Sequence, residues 1–146
     1  MKVYLDTCSL QRPLDSRSQI RITLEAEAIL GTLLLHEVGQ IELISSEALL
    51  FEIERNPTMA RKEYALEVLK SAESFVAVND RVENRATELV ATGIGPLDAL
   101  HLACAEEGRA DYFCTSDDGF LKKAKARTDL KTKVVSPVEL IEEIET

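Results

Sequence analysis

Five short runs rich in β-branched and aromatic residues, "KVYL", "IELIS", "SFVAV", "DYFCT" and "KVVS", are separated by longer stretches with helical period. A chain alternating in this way builds parallel strands, because parallel neighbours cannot be joined by a hairpin and need a right-handed helical crossover. The pattern predicts an α/β fold, a three-layer α/β/α arrangement around a central, mostly parallel sheet of about five strands. With 146 residues the chain makes one domain, residues 1–146, with enough core to fold without a metal or disulfide staple.

The helices carry their own start and stop signals. The first is expected from Gln19 to Val38, with Ile22, Ala26, Ile29, Leu30 and Leu33 on one face and Gly39 as the stop. A second starts at Ser45 or Ser46, a third covers Met59 to Ala72, and a fourth follows Asp80 as N-cap and closes at Gly93. The fifth, "GIGPLDALHLACAEEG", has Pro96 at its first position, Asp98 in its first turn and Gly108 past its end. The last opens on Ser-Pro in "SPVELIEEIE".

Composition removes several classes. Three cysteines, Cys8, Cys104 and Cys114, without a CxxC pair give neither a disulfide framework nor a cysteine zinc site, and fit a reducing cytoplasm. No stretch approaches the ~20 apolar residues of a membrane span, and the apolar run ending at Asp6 is too short for a signal-peptide core. A net charge of -9 opposes nonspecific, charge-driven nucleic-acid binding. Against that balance, "LKKAKARTDLKTK" gathers Lys122, Lys123, Lys125, Arg127, Lys131 and Lys133, either a solvated helix face or a phosphate-contacting patch.

In a parallel sheet the carboxyl ends of all strands lie on one side, where ligands bind. Asp6 ends the first strand, and Asp117 and Asp118 end the fourth. The fifth helix runs back toward the start of the fourth strand, so Asp98 at its N-terminus lies on the same side. The second helix leaves the end of the second strand and brings Glu47 or Glu52 there. Five residues apart, these two glutamates point about 140° away from each other around a helix, so only one serves the mouth. Clustered carboxylates repel by about 3–4 kcal/mol per close pair at an effective dielectric near 20 and must take up protons or share a cation. Hard oxygen donors favour Mg²⁺ or Mn²⁺, and metal-assisted phosphodiester hydrolysis is the matching reaction class.

With "VYLDT", "ISSEALLFEI", "PLDALHLACA", "FCTSDDGF" and "VVSPVELI" in this order, the sequence resembles PIN-domain ribonucleases of the VapC toxin type. The resemblance implies a metal-dependent endoribonuclease that cuts RNA to leave a 5′-phosphate, as the toxin of a toxin-antitoxin pair. It places the catalytic acids on Asp6, Glu52, Asp98 and Asp117, with Asp6, Asp98 and Asp117 at the metal. The family pattern selects Glu52 over Glu47, six residues after the strand-end Ser46. Thr115 becomes a supporting hydroxyl, and Asp118 a helix cap or a support. Arg12, Lys122 and Lys123 become the RNA contacts. An antitoxin protein and a homodimer are the implied partners, with no membrane. The alternative is a PIN-fold binding module acting through RNA or a protein partner.

Other chemistries fit less well. A haloacid-dehalogenase phosphatase needs D-x-D-x-T, and Cys8 stands where its second acid belongs. A receiver domain wants a lysine after its fifth strand, which "KVVSPVEL" lacks. Cys8 and Arg12 are too close for a cysteine phosphatase loop, so Cys8 is expected as buried or partly buried packing. His101 and Cys104 lack two further zinc ligands, leaving His101 as a core or supporting histidine, and His36 as a favourable residue at a helix C-terminus.

Overall fold

The computed structural model describes residues 1–145. Five strands, β1 (Lys2–Leu5), β2 (Glu42–Ser46), β3 (Ser74–Val76), β4 (Tyr112–Cys114) and β5 (Lys133–Val135), form one sheet in the order β3-β2-β1-β4-β5. Every neighbouring pair is parallel, with Val3 opposite Leu43 on one side and Tyr112 on the other. The helices among the described residues are α1 (Thr7–Leu10), α2 (Ile20–Glu37), α3 (Glu47–Glu54), α4 (Met59–Lys70), α5 (Asp80–Ala91), α6 (Pro96–Glu107), α7 (Asp118–Lys125) and α8 (Pro137–Glu145). Packing of α2 on α8 and of α5 on α6, with the sheet between, gives the α/β/α layering that the strand-helix alternation predicts.

Central β1 explains why its sequence is apolar on both faces. Val3, Tyr4 and Leu5 are buried between two helical layers, as expected of an inner parallel strand. Tyr4 stacks on Phe113 of β4 with ring centroids 5.1 Å apart, and Phe113 meets Phe120 of α7 edge to face. The core therefore ties β1, β4 and the start of α7 together directly beneath the strand ends.

Some elements differ from expectation. The chain after β1 forms α1, capped by Asp6, and then a short 3-10 turn, Arg12–Leu14. Four residues are too few for a periodic signal, so α1 leaves no pattern to detect. Asn79, and not Asp80, caps α5, its side chain accepting from the Val82 N–H at 2.9 Å. On α2 the buried face holds Ala26, Ile29, Glu25, Thr32 and His36, while Leu30 is exposed. His36 does more than sit near a helix C-terminus: its Nε2 lies 2.9 Å from Glu73 Oε1, and that carboxylate also accepts from the Leu43 N–H.

Gly108 is the C-cap of α6 at an ordinary φ of -77°, and the left-handed position falls on Arg109 at φ 59°. Space, and not backbone freedom, demands the glycine: a Cβ there would meet Val76 Cγ2 at 2.9 Å.

Candidate active site

Strand order locates the site. From β1 the chain crosses to β2 and β3 on one side, then passes from β3 to β4 on the other, so crossovers leave in opposite directions at the β1/β4 boundary. The crevice over the carboxyl ends of such a pair is where open α/β sheets bind ligands. Asp6 follows β1 and Asp117 follows β4, with the Asp6 N–H bonded to the Cys114 carbonyl at 3.1 Å.

Asp6 is buried and fixed by its role as the α1 cap: its Oδ1 accepts from the Ser9 N–H at 3.0 Å and the Cys8 thiol at 3.1 Å. Burial raises its carboxyl above the ordinary range, partly countered by hydrogen bonds from Thr115, Cys8 and Ser9. The Thr115 hydroxyl also accepts from the Asp117 N–H at 3.1 Å, so one fully buried side chain orders both strand-end acids. Cys8 is exposed as a residue, against the expectation of buried or partly buried packing, with its thiol turned inward to Asp6.

Asp98, half-buried in the first turn of α6, is raised by burial first, then by the negative charges of Asp117 and Asp6, and of Glu52 after them. Those three repulsions mean that the four acids share one field. Asp117 is exposed and caps α7, its Oδ1 accepting from the Phe120 N–H at 3.1 Å. Asp118 therefore does not cap this helix. It is the first helical residue and pairs with Arg21 at 2.5 Å. Arg21, at the start of α2, also donates to the Ser116 carbonyl at 2.9 Å, which sets a cation on the rim that no local pattern marks.

Glu52 and Glu47 part as helical geometry requires. Glu47 turns to the sheet edge and accepts from the Val78 N–H at 2.8 Å. Glu52 accepts from the Thr7 hydroxyl and lies 2.9 Å from His101 Nε2, on the side facing Asp98. Burial alone would raise the Glu52 carboxyl, but the His101 and Thr7 hydrogen bonds outweigh it and hold it below the ordinary range. Behind His101, Nδ1 meets the Tyr4 hydroxyl at 2.6 Å, and that hydroxyl meets Ser46 Oγ at 2.7 Å.

The expected RNA contacts are dispersed. Arg12 is drawn into ion pairs with Glu25 at 2.6 Å and Asp15 at 3.0 Å. Lys122 and Lys123 are exposed on α7, where Lys123 Nζ donates to the Gly93 carbonyl at 3.2 Å.

The donor set suits a hard divalent cation. Its members are carboxylates that repel one another, with Asp6 and Asp98 both raised, burial first. Their side chains lie apart as placed, and among the described residues no three of His, Cys, Asp or Glu gather at ligating separation. Asp6, Asp98 and Asp117 are the groups that would hold such an ion.

The PIN domain family model matches residues 3–126. No curated protein matches. The solved structures that share the fold include VapBC2 from Rickettsia felis bound to a DNA fragment from their promoter and VapBC-1 from nontypeable Haemophilus influenzae. The first has TM-score 0.61 and 14% identity over 93% of this chain and 98% of that one. The second has TM-score 0.55 and 15% identity over 94% and 98%. No helix is long and apolar enough to cross a membrane among the described residues. A model match over most of the sequence, on a parallel sheet with acids at its β1/β4 crevice, makes this chain a member of the PIN domain family.

Proposed function

We propose that the protein is a metal-dependent endoribonuclease that hydrolyses RNA phosphodiester bonds, acting as the toxin of a toxin-antitoxin pair in the cytoplasm. The observation that carries this is the hold of one buried side chain, Thr115, on both Asp6 and the Asp117 backbone at the β1/β4 crevice, with Asp98 and Glu52 near enough to feel their charge. Asp6, Asp98 and Asp117 would hold Mg²⁺ or Mn²⁺, which would supply activation of water and charge stabilisation at the phosphate. The chain's own contribution is orientation. Thr115 fixes Asp6 and the backbone of Asp117, while Thr7 and His101 aim Glu52, an ionised carboxylate ready to take a proton from attacking water.

The partner half of the proposal draws on the VapBC complexes that share the fold. A groove between α2 and α4, where Leu30, Leu33, Leu34 and Val68 lie beside Glu37 and Glu67, offers a surface for an antitoxin segment.

A labelled RNA incubated with Mg²⁺ or Mn²⁺ tests the reaction. Cutting by the wild type that is lost with EDTA and in Asp6→Asn is expected, whereas equal cutting by both proteins removes the assigned site. Retention of RNA without any cutting would make the chain a binding module.

A further inference from the structure

Among the four acids of the mouth, Asp117 has the least support from its own position. Asp6 is buried and Asp98 and Glu52 are half-buried, whereas Asp117 is exposed on the loop between β4 and α7. A ligand on a loop is held less firmly than one on a strand or helix unless other side chains fix its backbone. Here the peptide bond leading into Asp117 is gripped at both ends. Its N–H donates to the buried Thr115 hydroxyl at 3.1 Å, and its carbonyl, that of Ser116, accepts from Arg21 Nη2 at 2.9 Å. The other terminal nitrogen of the same guanidinium, Nη1, donates to Asp118 Oδ2 at 2.5 Å. Arg21 therefore holds the residue before Asp117 and the residue after it.

The arginine is itself oriented from its own helix. Its Nε lies 3.5 Å from Oε2 of Glu25, one turn further along α2. Glu25 is buried, and its other oxygen accepts from Arg12 Nε at 2.9 Å and Nη2 at 2.6 Å. A planar fork fixed on one side by a buried carboxylate can reach two acceptors on a neighbouring loop in a single geometry. A lysine, a point charge on a flexible stem, cannot reproduce it.

Charge separates the two adjacent aspartates. Asp118 has its carboxylate in an ion pair with Arg21, while Asp117 accepts from the neutral N–H of Phe120 at 3.1 Å and keeps its charge for the mouth, where it raises Asp98. The same contact that steadies the loop thus withdraws Asp118 from competition for a cation.

We propose that Arg21 is a positioning residue for the cation-binding carboxylate of Asp117: it clamps the Ser116 carbonyl, occupies Asp118, and so decides which of the two aspartates meets the ion. The inference rests on the metal-dependent reading above, and its test is ion binding, kept separate from cleavage. Mn²⁺ affinity is read from the electron paramagnetic resonance signal of unbound Mn²⁺ in titrations of the wild type, Arg21→Ala, Arg21→Lys, Asp117→Asn and Arg21→Ala/Asp117→Asn. Arg21→Ala is expected to weaken binding about tenfold, the scale for losing a contact that orients a metal ligand. Removing a positive charge beside a cation site would by itself tighten binding, so the sign of the change separates positioning from simple repulsion. Arg21→Lys keeps the charge without the fork and is expected to stay weakened. In the Asp117→Asn background Arg21→Ala is expected to weaken binding no further, because the carboxylate through which it acts is gone.

Unchanged or tighter Mn²⁺ binding by Arg21→Ala overturns the assignment. So does an Arg21→Lys variant that matches the wild type, or an equal loss with and without the Asp117 carboxylate. Weaker binding of a labelled RNA to Arg21→Ala in EDTA also overturns it, because the arginine would then be a direct phosphate contact. The Arg21 side chain is 45% exposed, so its variants are expected to melt close to the wild type, which keeps a lost orientation apart from a lost fold. A wild type that binds no Mn²⁺ removes the metal-dependent reading and this inference with it, whereas wild-type binding that is indifferent to Arg21 removes the inference alone.

Discussion

His101 Nε2 stands 2.9 Å from Glu52 Oε1, and this contact ends a chain of hydrogen bonds that begins inside the sheet. One tautomer satisfies every member. Ser46 Oγ accepts from the Leu49 N–H and donates to the Tyr4 oxygen, Tyr4 donates to His101 Nδ1, and Nε2–H donates to Glu52. Burial holds the Tyr4 phenol well above its ordinary value, which keeps it a donor. The direction in which Glu52 points is thus set by Tyr4, buried in β1.

Tyr4→Phe removes the middle of that chain and leaves His101 Nδ1 and Ser46 Oγ without their partner. The expected loss is about 1–3 kcal/mol in urea unfolding, the cost of orphaning a buried polar group. A loss below about 0.5 kcal/mol would mean that the ring needs no such hold.

The two adjacent aspartates should separate in a comparison of three variants. Asp117→Ala loses the α7 cap and is expected to cost about 1 kcal/mol, whereas Asp117→Asn keeps a capping oxygen and costs little. Asp118→Asn breaks an exposed pair with Arg21 and is expected to stay within about 0.5 kcal/mol. Thermal melts of the three decide it, and a costly Asp118→Asn would contradict the assignment of the cap.

Cation binding can be read without turnover. Millimolar Mn²⁺ is expected to raise the melting temperature of the wild type by linkage, since an ion held by the folded acids stabilises only that state. Asp117→Asn should shrink the gain more than Asp118→Asn. The opposite ranking, in a differential scanning fluorimetry series, would move the ligand one residue along.

Asp15 gives the acid limb of stability a specific source. Burial alone would raise its carboxyl, but hydrogen bonds from Arg61 and Arg12 outweigh this and lower it. The folded value thus lies below the unfolded one near 3.9, so the contribution is present above about pH 4 and is lost as pH falls through the folded value. Asp15→Asn is expected to be less stable than the wild type at pH 7, by on the order of 1 kcal/mol, with the gap closing as pH falls through the folded value. A gap independent of pH would assign the effect to packing.

Gly108→Ala tests the closest approach in the fold. The added methyl would sit 2.9 Å from Val76 Cγ2 and 3.3 Å from Ile44 Cγ2, on stiff side chains of β3 and β2. Overpacking of this kind costs about 1–3 kcal/mol, to be read as a lower midpoint in chemical denaturation.

Much of this was legible in the sequence because strands and long helices announce themselves by period. The run "KVYL" closed by Asp6 has one sensible reading, and the Pro96 to Gly108 helix carries signals at both ends. Local choices between neighbours were not legible. Asn79 against Asp80, and Asp117 against Asp118, are pairs of equally good capping residues, and only the backbone angles at the turn decide which one caps. Arg12 illustrates a different limit: a free-standing arginine in sequence becomes committed once α2 brings Glu25 against it. Arg21 and the Tyr4–His101 link depend on residues far apart in the chain, and no local pattern marks such pairs.

The placement of β1 between β2 and β4 bears on how the protein is made. Asp6 and Glu52 leave the ribosome early, but their neighbours Asp98 and Asp117 belong to the last third of the chain, and β4 must slide in beside β1 before the four acids meet. A nascent chain that has reached only β3 holds half a set of carboxylates with nothing to confine them. The crevice is therefore withheld until β4 has emerged and paired with β1, and a product cut short before β4 carries no assembled set of carboxylates.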